Sequence, residues 1–406
     1  MGPSRLLGPG HAGLIPGLGV TQVVGYGTLY YAFAVLAPRM TESLGWAPEW
    51  TFGGFALGLL AGGALAPWTG TLIDRYGTRP VMTAGSALAA LALFGLSEAR
   101  GLVGYCLAMI AIQAVSTMIF YDAAFAALTQ ARGAGARRSI SQLTLIGGFA
   151  STLFWPLTSW LLGSLDWREI YKLYALLHLL LCVPLHLLVL PGRARSAPAG
   201  AARASAGGGA GAPPEPAYLE GPARRRAFLL LAASFSLQGF VVSALSVHML
   251  TLLQDLGLGA AVAVGIGAMV GPSQVAGRLV EMLFGKALPP VTTAWVSGAL
   301  MPLGLALLLW GSVGTAVAGA FAIAYGISMG LSSIVRGTVP LQLFGPRGYG
   351  AMMGRLSAPG LVVKAAAPLV FAVLLERVGT TPSTLLLVLL SLVATVALFL
   401  LARASR

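Results

Sequence analysis

Residues 70–80 read GTLIDRYGTRP, a short polar segment between two long apolar runs, and this stretch decides how the chain is interpreted. A related segment, GRLVEMLFGKALP, closes another apolar run about half a chain later. Gly70 and Gly277 begin the two segments, and an acidic residue, Asp74 or Glu281, follows four positions after each glycine. The recurrence predicts a chain built from two related halves.

The composition around these segments is that of a membrane protein. Of the 406 residues, 57% are hydrophobic and only 9% are charged, and the mean hydropathy is +0.84, whereas soluble domains carry roughly 25% charged residues. Each apolar run is near the roughly 20 residues that cross a bilayer as a helix, and no short alternating strands suggest a barrel. We therefore predict an all-α integral membrane protein with twelve transmembrane helices. The runs lie near 12–36, 50–70, 80–97, 102–129, 139–163, 171–190, 227–251, 260–284, 289–311, 314–336, 350–375 and 382–402.

The basic residues indicate the topology. Most of the 25 Lys and Arg residues, Arg336 among them, fall on the side that holds both termini, and the positive-inside rule places that side in the cytoplasm. The net charge of +13 is then a topology signal and does not indicate a nucleic-acid partner. We expect a protein of the lipid bilayer, in a bacterial inner membrane. Of the basic residues, only Arg278 and Lys364 are expected inside the membrane.

The chain divides at a segment rich in Ala, Gly, Pro and Arg, which holds too little apolar surface to fold. We predict a six-helix bundle over residues 1–190, a flexible cytoplasmic linker over 191–226 and a second six-helix bundle over 227–406. Two parallel six-helix halves are the plan of one large transporter fold.

The first polar segment closely resembles the loop signature of the major facilitator superfamily, and it lies where that family has it, between spans two and three. The resemblance implies a secondary transporter that works by alternating access, with spans 1, 4, 7 and 10 lining a central cavity. It implies a small-molecule substrate, no cofactor and a monomer. The segment departs from the signature at Thr78, and the second copy has one extra residue before Gly285. The matching residues are Gly70, Leu72, Asp74, Arg75, Gly77 and Arg79.

These loop residues have a physical interpretation as a gate. We expect Asp74 to cap the N-terminus of the third span, where exposed N–H groups favour an anion. Arg75 and Arg79 would then reach acidic or carbonyl partners on the other half and hold one conformation shut. Positive-inside placement alone would produce the same two arginines.

Lys364 is the first candidate for substrate binding, because an ionisable group inside a membrane is costly and usually functional. It shares a helix face with Ser357 and Gly360, which we expect to point into the cavity. A cation in that position indicates an anionic substrate or a nearby carboxylate. Alternatively, Lys364 pairs with a backbone carbonyl or with Asp122 for structure alone.

Arg278 is the second candidate, on a stripe with Gln274 and Glu281 in the eighth span. A guanidinium matches a carboxylate in a bidentate manner that an ammonium cannot. Glu281 lies three residues on and would neutralise Arg278. The sequence leaves open whether Arg278 contacts the substrate or belongs to the gate.

Asp122 is the only acid well inside a span, and a carboxylate there suits proton coupling. The alternative is that Asp122 pairs with the cytoplasmic cluster of Arg132, Arg137 and Arg138.

Polar side chains at helical spacing complete the predicted cavity, although interhelical hydrogen bonding would explain them as well. The predicted set is Gln22, Tyr26 and Tyr30 in span one, Gln113, Thr117 and Tyr121 in span four, Tyr325, Ser332 and Arg336 in span ten, and Gln238 in span seven. His178, Cys182 and His186 share a face of span six, but that span should be peripheral, so we predict no metal site.

The leading functional hypothesis is transport of a small organic anion, such as a carboxylate, with proton coupling or exchange. The alternative is proton-driven efflux of drug-like amphiphiles, although the fifth span, IGGFASTLFWP, lacks the Gly-Pro-rich pattern usual in such exporters. An enzyme is not expected, because the chain has no HExxH motif and no GxSxG motif with a histidine partner.

Overall fold

The computed structural model describes residues 13–192, 218–285, 288–309 and 313–404, and every regular element in these ranges is a helix. This confirms the predicted all-α membrane fold. The predicted linker falls mostly outside the described residues, and the helix after it already begins at Gly221, before residue 227. The helices, numbered by pass, are α1 Leu14–Leu44, α2 Pro48–Tyr76, α3 Thr78–Glu98, α4 Leu102–Ser116 with Tyr121–Arg132, α5 Arg137–Gly147 with Ala150–Leu161, α6 Trp167–Val189, α7 Gly221–Asp255, α8 Ala260–Phe284, α9 Pro290–Leu307, α10 Thr315–Phe344, α11 Tyr349–Val378 and α12 Thr380–Ala404.

Eleven segments of the described chain are long and apolar enough to cross a membrane, and one of them, Leu102–Leu161, has 60 residues. A helix of that length would measure roughly 90 Å, about three times the hydrocarbon core. The chain turns back at Gly133, whose φ of 57° suits glycine, so the Tyr121 hydroxyl donates to the Thr144 carbonyl at 3.5 Å. The segment therefore holds two passes, α4 and α5.

Four interruptions of the regular α-helix lie within the described passes of the N-terminal half, which comprises α1–α6, and one of them is a π turn at His178–Cys182 in α6. Residues 117–120 separate the two parts of α4, and Gly148 and Phe149 separate those of α5. In α1, the residues Gly27–Tyr31 form a π turn, which adds one residue to the helix. In the C-terminal half, α7, α8, α10 and α11 each run unbroken.

The two halves meet most closely where α2 packs on α11. Glycines allow this approach, because a Cβ at Gly70 would overlap the Gly350 carbonyl and one at Gly354 would overlap the Ala66 carbonyl. These contacts lie toward the ends of the bundle where α2 and α8 finish, which we call the motif end. Buried apolar side chains form one cluster in each half and a third that joins both.

Candidate functional site between the two halves

An ion pair joins the two halves at the centre of the molecule. Arg336 of α10 donates from Nε and Nη2 to the two carboxylate oxygens of Asp122 in α4, each at 3.0 Å. The Ser357 hydroxyl of α11 accepts from Arg336 Nη2 at 2.7 Å and donates to Asp122. The three side chains form a closed network that only partly reaches solvent, with 24% of Asp122 and 30% of Arg336 exposed.

This network corrects two predictions. Arg336 lies inside α10, eight residues before the helix ends at Phe344, and not at the end of the helix as the apolar run to residue 336 predicted. Asp122 pairs with Arg336 and not with the cluster of Arg132, Arg137 and Arg138. Asp122 lies in the first turn after the break in α4, whereas Arg132 ends that segment and the other two arginines begin α5.

Arg278 of α8 is the second charged group between the halves, and it is only 5% exposed. Its Nε donates to the Ser333 hydroxyl at 3.1 Å, and its Nη2 donates to the Gln274 side-chain oxygen at 3.4 Å. Its Nη1 is buried without a hydrogen-bond partner. Glu281 does not neutralise Arg278 as predicted, since that carboxylate binds Arg137 and Ser141 instead. The guanidinium therefore has only neutral partners.

The N-terminal half surrounds the guanidinium of Arg278. Its Nη1 lies directly over Gly148 in α5, and its charge acts on the side chains of Tyr31 and Tyr121. Tyr31 was not among the predicted residues, which followed i, i+4 spacing from Tyr26 to Tyr30. The π turn inserts one residue between these positions and brings Tyr31 to the face that Tyr30 was expected to occupy.

An aromatic wall, made of Tyr26, Phe120, Tyr121 and Phe125, lies beside both charged groups. The ring of Tyr26 stacks on Phe120 with centroids 4.0 Å apart and meets Tyr121 at 4.9 Å. Tyr121 in turn stacks on Phe125 at 5.2 Å. Because Tyr26 also interacts electrostatically with Asp122 and Arg336, the wall connects the central ion pair to the surroundings of Arg278.

Lys364 is half-buried on α11, and its side-chain carbons pack against Gly239 of α7, where a Cβ would lie 3.1 Å from Cε. Its carbonyl accepts from the Ser243 hydroxyl at 2.8 Å. The charges of Arg336 and Asp122 act on Lys364, but no carboxylate of the described chain forms an ion pair with it. The lysine is thus a second interior cation without a direct counter-ion.

The polar stripes of α1 and α4 mostly bond to neighbouring helices. Gln22 donates to the Ile119 carbonyl at 2.6 Å, within the break of α4, and Gln113 donates to the Leu29 carbonyl at 3.4 Å, within the π turn. The hydroxyl of Thr117 pairs with that of Thr69 at 2.8 Å. Tyr30 is 38% exposed, so it keeps an accessible surface.

The polar residues predicted in α10 also contact other residues of the protein. Ser332 donates to the Gln238 side-chain oxygen at 3.3 Å, which links α10 to α7. Tyr325 is buried, at 3% exposure, and stacks against Phe321. Interhelical bonding, which the sequence left open, accounts for most of these contacts.

Two carboxylates hold the halves together at the motif end, and each binds the start of a helix in the opposite half. Asp74 accepts from the backbone N–H groups of Gly350 at 3.0 Å and Ala351 at 2.7 Å, in the first turn of α11. Glu281 accepts from the Ser141 hydroxyl at 2.8 Å and from Arg137 at 3.4 Å, in the first turns of α5. A carboxylate at a helix N-terminus is favourable because it meets free N–H groups and the positive end of the helix dipole.

Asp74 therefore does not cap the third span, contrary to the prediction. The α3 helix has no side-chain cap, and the Thr78 amide and hydroxyl at its start donate to Gln130. The first turn of α11 lies within reach of the Asp74 carboxylate and provides amides that Asp74 binds instead.

Gly70 packs against Gly350 in the other half, whereas the contacts of Arg75 and Arg79 lie in their own half. Arg75 lies over the ring of Tyr76, 5.3 Å from its centroid, and Arg79 lies beside Gly192, so the predicted partners in the other half are not the groups they contact. Gly77, with a φ of 88°, makes the turn between α2 and α3. Gly277 packs on Ile327 of α10, so the two motif copies are not equivalent in their contacts.

The histidines of α6 bind hydroxyl groups of neighbouring helices. His178 shares a hydrogen bond with Thr28 at 2.8 Å, and His186 lies 3.0 Å from both Ser86 and Thr21. No group of three or more potential metal-binding side chains occurs in the part of the chain that the structure describes.

Comparison with known proteins places this fold among membrane transporters. The family model for the Major Facilitator Superfamily matches residues 18–358. The structure of the human organic anion transporter MFSD10 (TETRAN) is similar, with a TM-score of 0.73 and 16% identity over 98% of this chain and 100% of that chain. No curated protein matches the sequence.

Two further transporters of known structure are similar. The proton:xylose symporter XylE, bound to 6-bromo-6-deoxy-D-glucose, has a TM-score of 0.69 and 12% identity over 95% of both chains. The transporter FucP, in the outward conformation, has a TM-score of 0.73 and 12% identity over 98% of this chain and 99% of that chain. Structural similarity at 12 to 16% sequence identity establishes the fold and nothing more specific.

Proposed function

The chain belongs to the major facilitator superfamily, and on that premise we propose that it is a secondary transporter of small organic anions, coupled to protons or working by exchange. The observation that carries this proposal is Arg278, a buried guanidinium with neutral partners and a free Nη1. A buried charge without a counter-ion is costly. An anionic substrate between the halves would supply that counter-ion.

The charges of the interior support an anion over a cation. The carboxylate of Asp122 is already matched by Arg336, so its negative charge is not available to attract a substrate. Arg278 and Lys364 remain as positive charges, and neither has an ion-pair partner in the described chain. The guanidinium offers a planar pair of donors that fits a carboxylate, while the lysine adds attraction at a second point.

Proton coupling would use the central network. The pair of Asp122 and Arg336 crosses from one half to the other, so the halves cannot separate at that level while the pair persists. A proton on Asp122 removes the negative charge, weakens the pair and favours separation. The MFSD10 structure is of an organic anion transporter and the XylE structure is of a proton:xylose symporter, so anion transport and proton coupling each occur in a protein of this fold.

The conformation fits one stage of alternating access. The hydrogen bonds and ion pairs that we see between the halves lie between the motif end and the middle of the molecule. If the positive-inside rule places the motif end and both termini in the cytoplasm of a bacterial cell, this conformation faces outward. We expect a monomer to suffice for transport.

Binding to the purified protein tests the proposal. Wild type, Arg278→Gln and Lys364→Gln would be screened by thermal shift against acetate, lactate, succinate, neutral sugars and cationic drugs. Arg39→Gln and Lys172→Gln serve as matched controls, because both side chains are exposed and pair with nearby acids. We expect a carboxylate to stabilise wild type and both controls but not Arg278→Gln. Stabilisation of all five proteins by cationic drugs alone would favour efflux of amphiphiles instead.

A further inference from the structure

The free nitrogen of Arg278 meets α5 at Gly148, the second of two consecutive glycines, and the side chain of Tyr121 meets the first, Gly147. The first part of α5 ends here, where the Gly148 amide donates to the Thr144 carbonyl at 3.0 Å and the Phe149 amide donates to the Ile146 carbonyl at 3.1 Å. Each glycine leaves space where a side chain of the candidate site lies. A Cβ at Gly148 would overlap Nη1 of Arg278, and a Cβ at Gly147 would overlap the hydroxyl of Tyr121.

Backbone conformation does not explain these two glycines. Neither has a positive φ, and Gly148 has a φ of −63° and a ψ of −20°, which any residue adopts. Close helix packing does not explain them either. In α2, by contrast, Gly58 and Gly62 are placed against backbone carbonyls of α4, so those glycines serve the approach of two helices. Gly147 and Gly148 make room for two polar side-chain ends.

We propose that Gly147 and Gly148 form a slot that positions the Arg278 guanidinium for binding the substrate anion. The Tyr121 hydroxyl lies in the same slot at Gly147 and donates to the Thr144 carbonyl. This inference rests on the proposed function of Arg278. The slot holds Nη1 in place from one side, while Ser333 and Gln274 hold Nε and Nη2 from the other. The guanidinium plane is thereby fixed with no acidic group among its partners.

The slot also makes anion binding depend on conformation. Gly148 belongs to the N-terminal half and Arg278 to the C-terminal half, so the two are in contact only while the halves meet at this level. When the halves separate at the motif end, Arg278 leaves the slot and keeps only its bonds to Ser333 and Gln274, so its guanidinium is held less firmly. The geometry of the anion site then changes as the transporter changes state, and affinity falls on the side of release.

A double-mutant cycle tests the slot without requiring a known substrate. We would measure the melting temperatures of wild type, Gly148→Ala, Arg278→Lys and the double variant, with Gly95→Ala as the control because a Cβ there meets no atom within 4 Å. Gly148→Ala should lower the melting temperature by about 2 °C or more relative to the control. In the Arg278→Lys background it should cost nothing further, since lysine has no counterpart of Nη1.

Gly147 provides a second, independent cycle. Gly147→Ala should destabilise the protein, and Tyr121→Phe should relieve the effect because it removes the hydroxyl that the new Cβ would overlap. If Gly148→Ala or Gly147→Ala fails to fold, recovery of a folded protein in the corresponding double variant supports the slot. Additive losses in both cycles, or single variants that behave like Gly95→Ala, would overturn it.

Binding of lactate and succinate separates this inference from the proposed function. We expect Gly148→Ala to weaken the binding of the stabilising carboxylate about tenfold or more, as the loss of a well-placed charged hydrogen bond does. If the stability cycles show coupling but neither wild type nor any variant responds to carboxylates, the slot stands as structure and the anion-transport proposal fails. If carboxylates bind through Arg278 but Gly148→Ala binds them normally, the slot has no positioning role.

Discussion

Arg278 shows how the environment of one residue connects physical chemistry to function. Burial removes the guanidinium from water, and the two side chains that bind it, Ser333 and Gln274, carry no charge. Neutral hydrogen bonds satisfy the geometry of a buried cation but leave its charge uncompensated. In a transporter such a residue is stabilised whenever an anion occupies the space between the halves.

Asp122 and Arg336 illustrate the opposite case, a charge already matched within the protein. We predict that Asp122→Asn and Arg336→Gln each lower stability, because each leaves the other partner without its counter-ion. Their effects should be strongly non-additive in the double variant, with a coupling of about 1.5 to 3 kcal/mol, the range of hydrogen bonds to charged groups. Chemical or thermal unfolding of the four proteins in one detergent measures the coupling, and purely additive losses would contradict the network described here.

At this scale the sequence singled out charged residues within the helices but did not predict their partners. Arg278, Lys364 and Asp122 stand out because they are charged within apolar runs. Arg336 lies near the end of its run, where a basic residue also serves topology, so its pairing with a residue 214 positions away was not predictable.

Among the elements, the interrupted helices matter most for the candidate site. Hydrophobic runs predict where helices lie, but they do not reveal a π turn or a two-residue break, because the apolar pattern continues through both. The π turn of α1 moved Tyr31 into the place expected for Tyr30. The Gly147–Gly148 pair lies at the break in α5, but the pairs Gly53–Gly54 and Gly62–Gly63 lie in the unbroken α2, so paired glycines alone do not predict a break.

The junction of α2 and α11 makes a prediction at the scale of helices. Replacing Asp74 with Ala removes two hydrogen bonds to the first turn of α11, at Gly350 and Ala351. Each such bond to a charged group contributes about 1.5 to 3 kcal/mol, so we expect the motif end to open more often. If the closed and open states of the motif end are close in free energy, a large fraction of the molecules should be open.

Spin-label distances check this prediction. Labels at Arg138 and Arg347, both exposed and in opposite halves at the motif end, would be introduced in a background without Cys106 and Cys182. Asp74→Ala should shift the distance distribution to longer values, whereas Gly95→Ala should leave it unchanged. An unaltered distribution in Asp74→Ala would mean that this carboxylate does not hold the end closed.

For the whole molecule, the two carboxylates at the motif end and the ion pair at the centre form three connections between the halves. Asp74 and Glu281 each bind the start of a helix in the other half, so the two acids make the same kind of contact although the glycines of the two motif copies differ in theirs. This arrangement closes one end of the molecule around the charged interior. Transport would require all three connections to break and reform together.

The sequence was sufficient for the fold at this scale. Composition and hydropathy gave the helical membrane class, and the motif gave the family, because both depend on short stretches read directly from the chain. The contacts of the motif were not predictable in the same way, since Asp74 binds residues 276 and 277 positions away. Substrate identity depends on such long-range arrangements, and solved structures at 12 to 16% identity do not supply it.

The central claim is that an anion crosses the membrane by binding Arg278. The most direct test is counterflow in proteoliposomes, in which vesicles loaded with the carboxylate that stabilises the protein take up the same carboxylate in radiolabelled form. We predict uptake by wild type and by Arg39→Gln, and a loss of about tenfold or more in Arg278→Gln, the factor that corresponds to 1.4 kcal/mol. Uptake by Arg278→Gln at the wild-type rate would contradict the account.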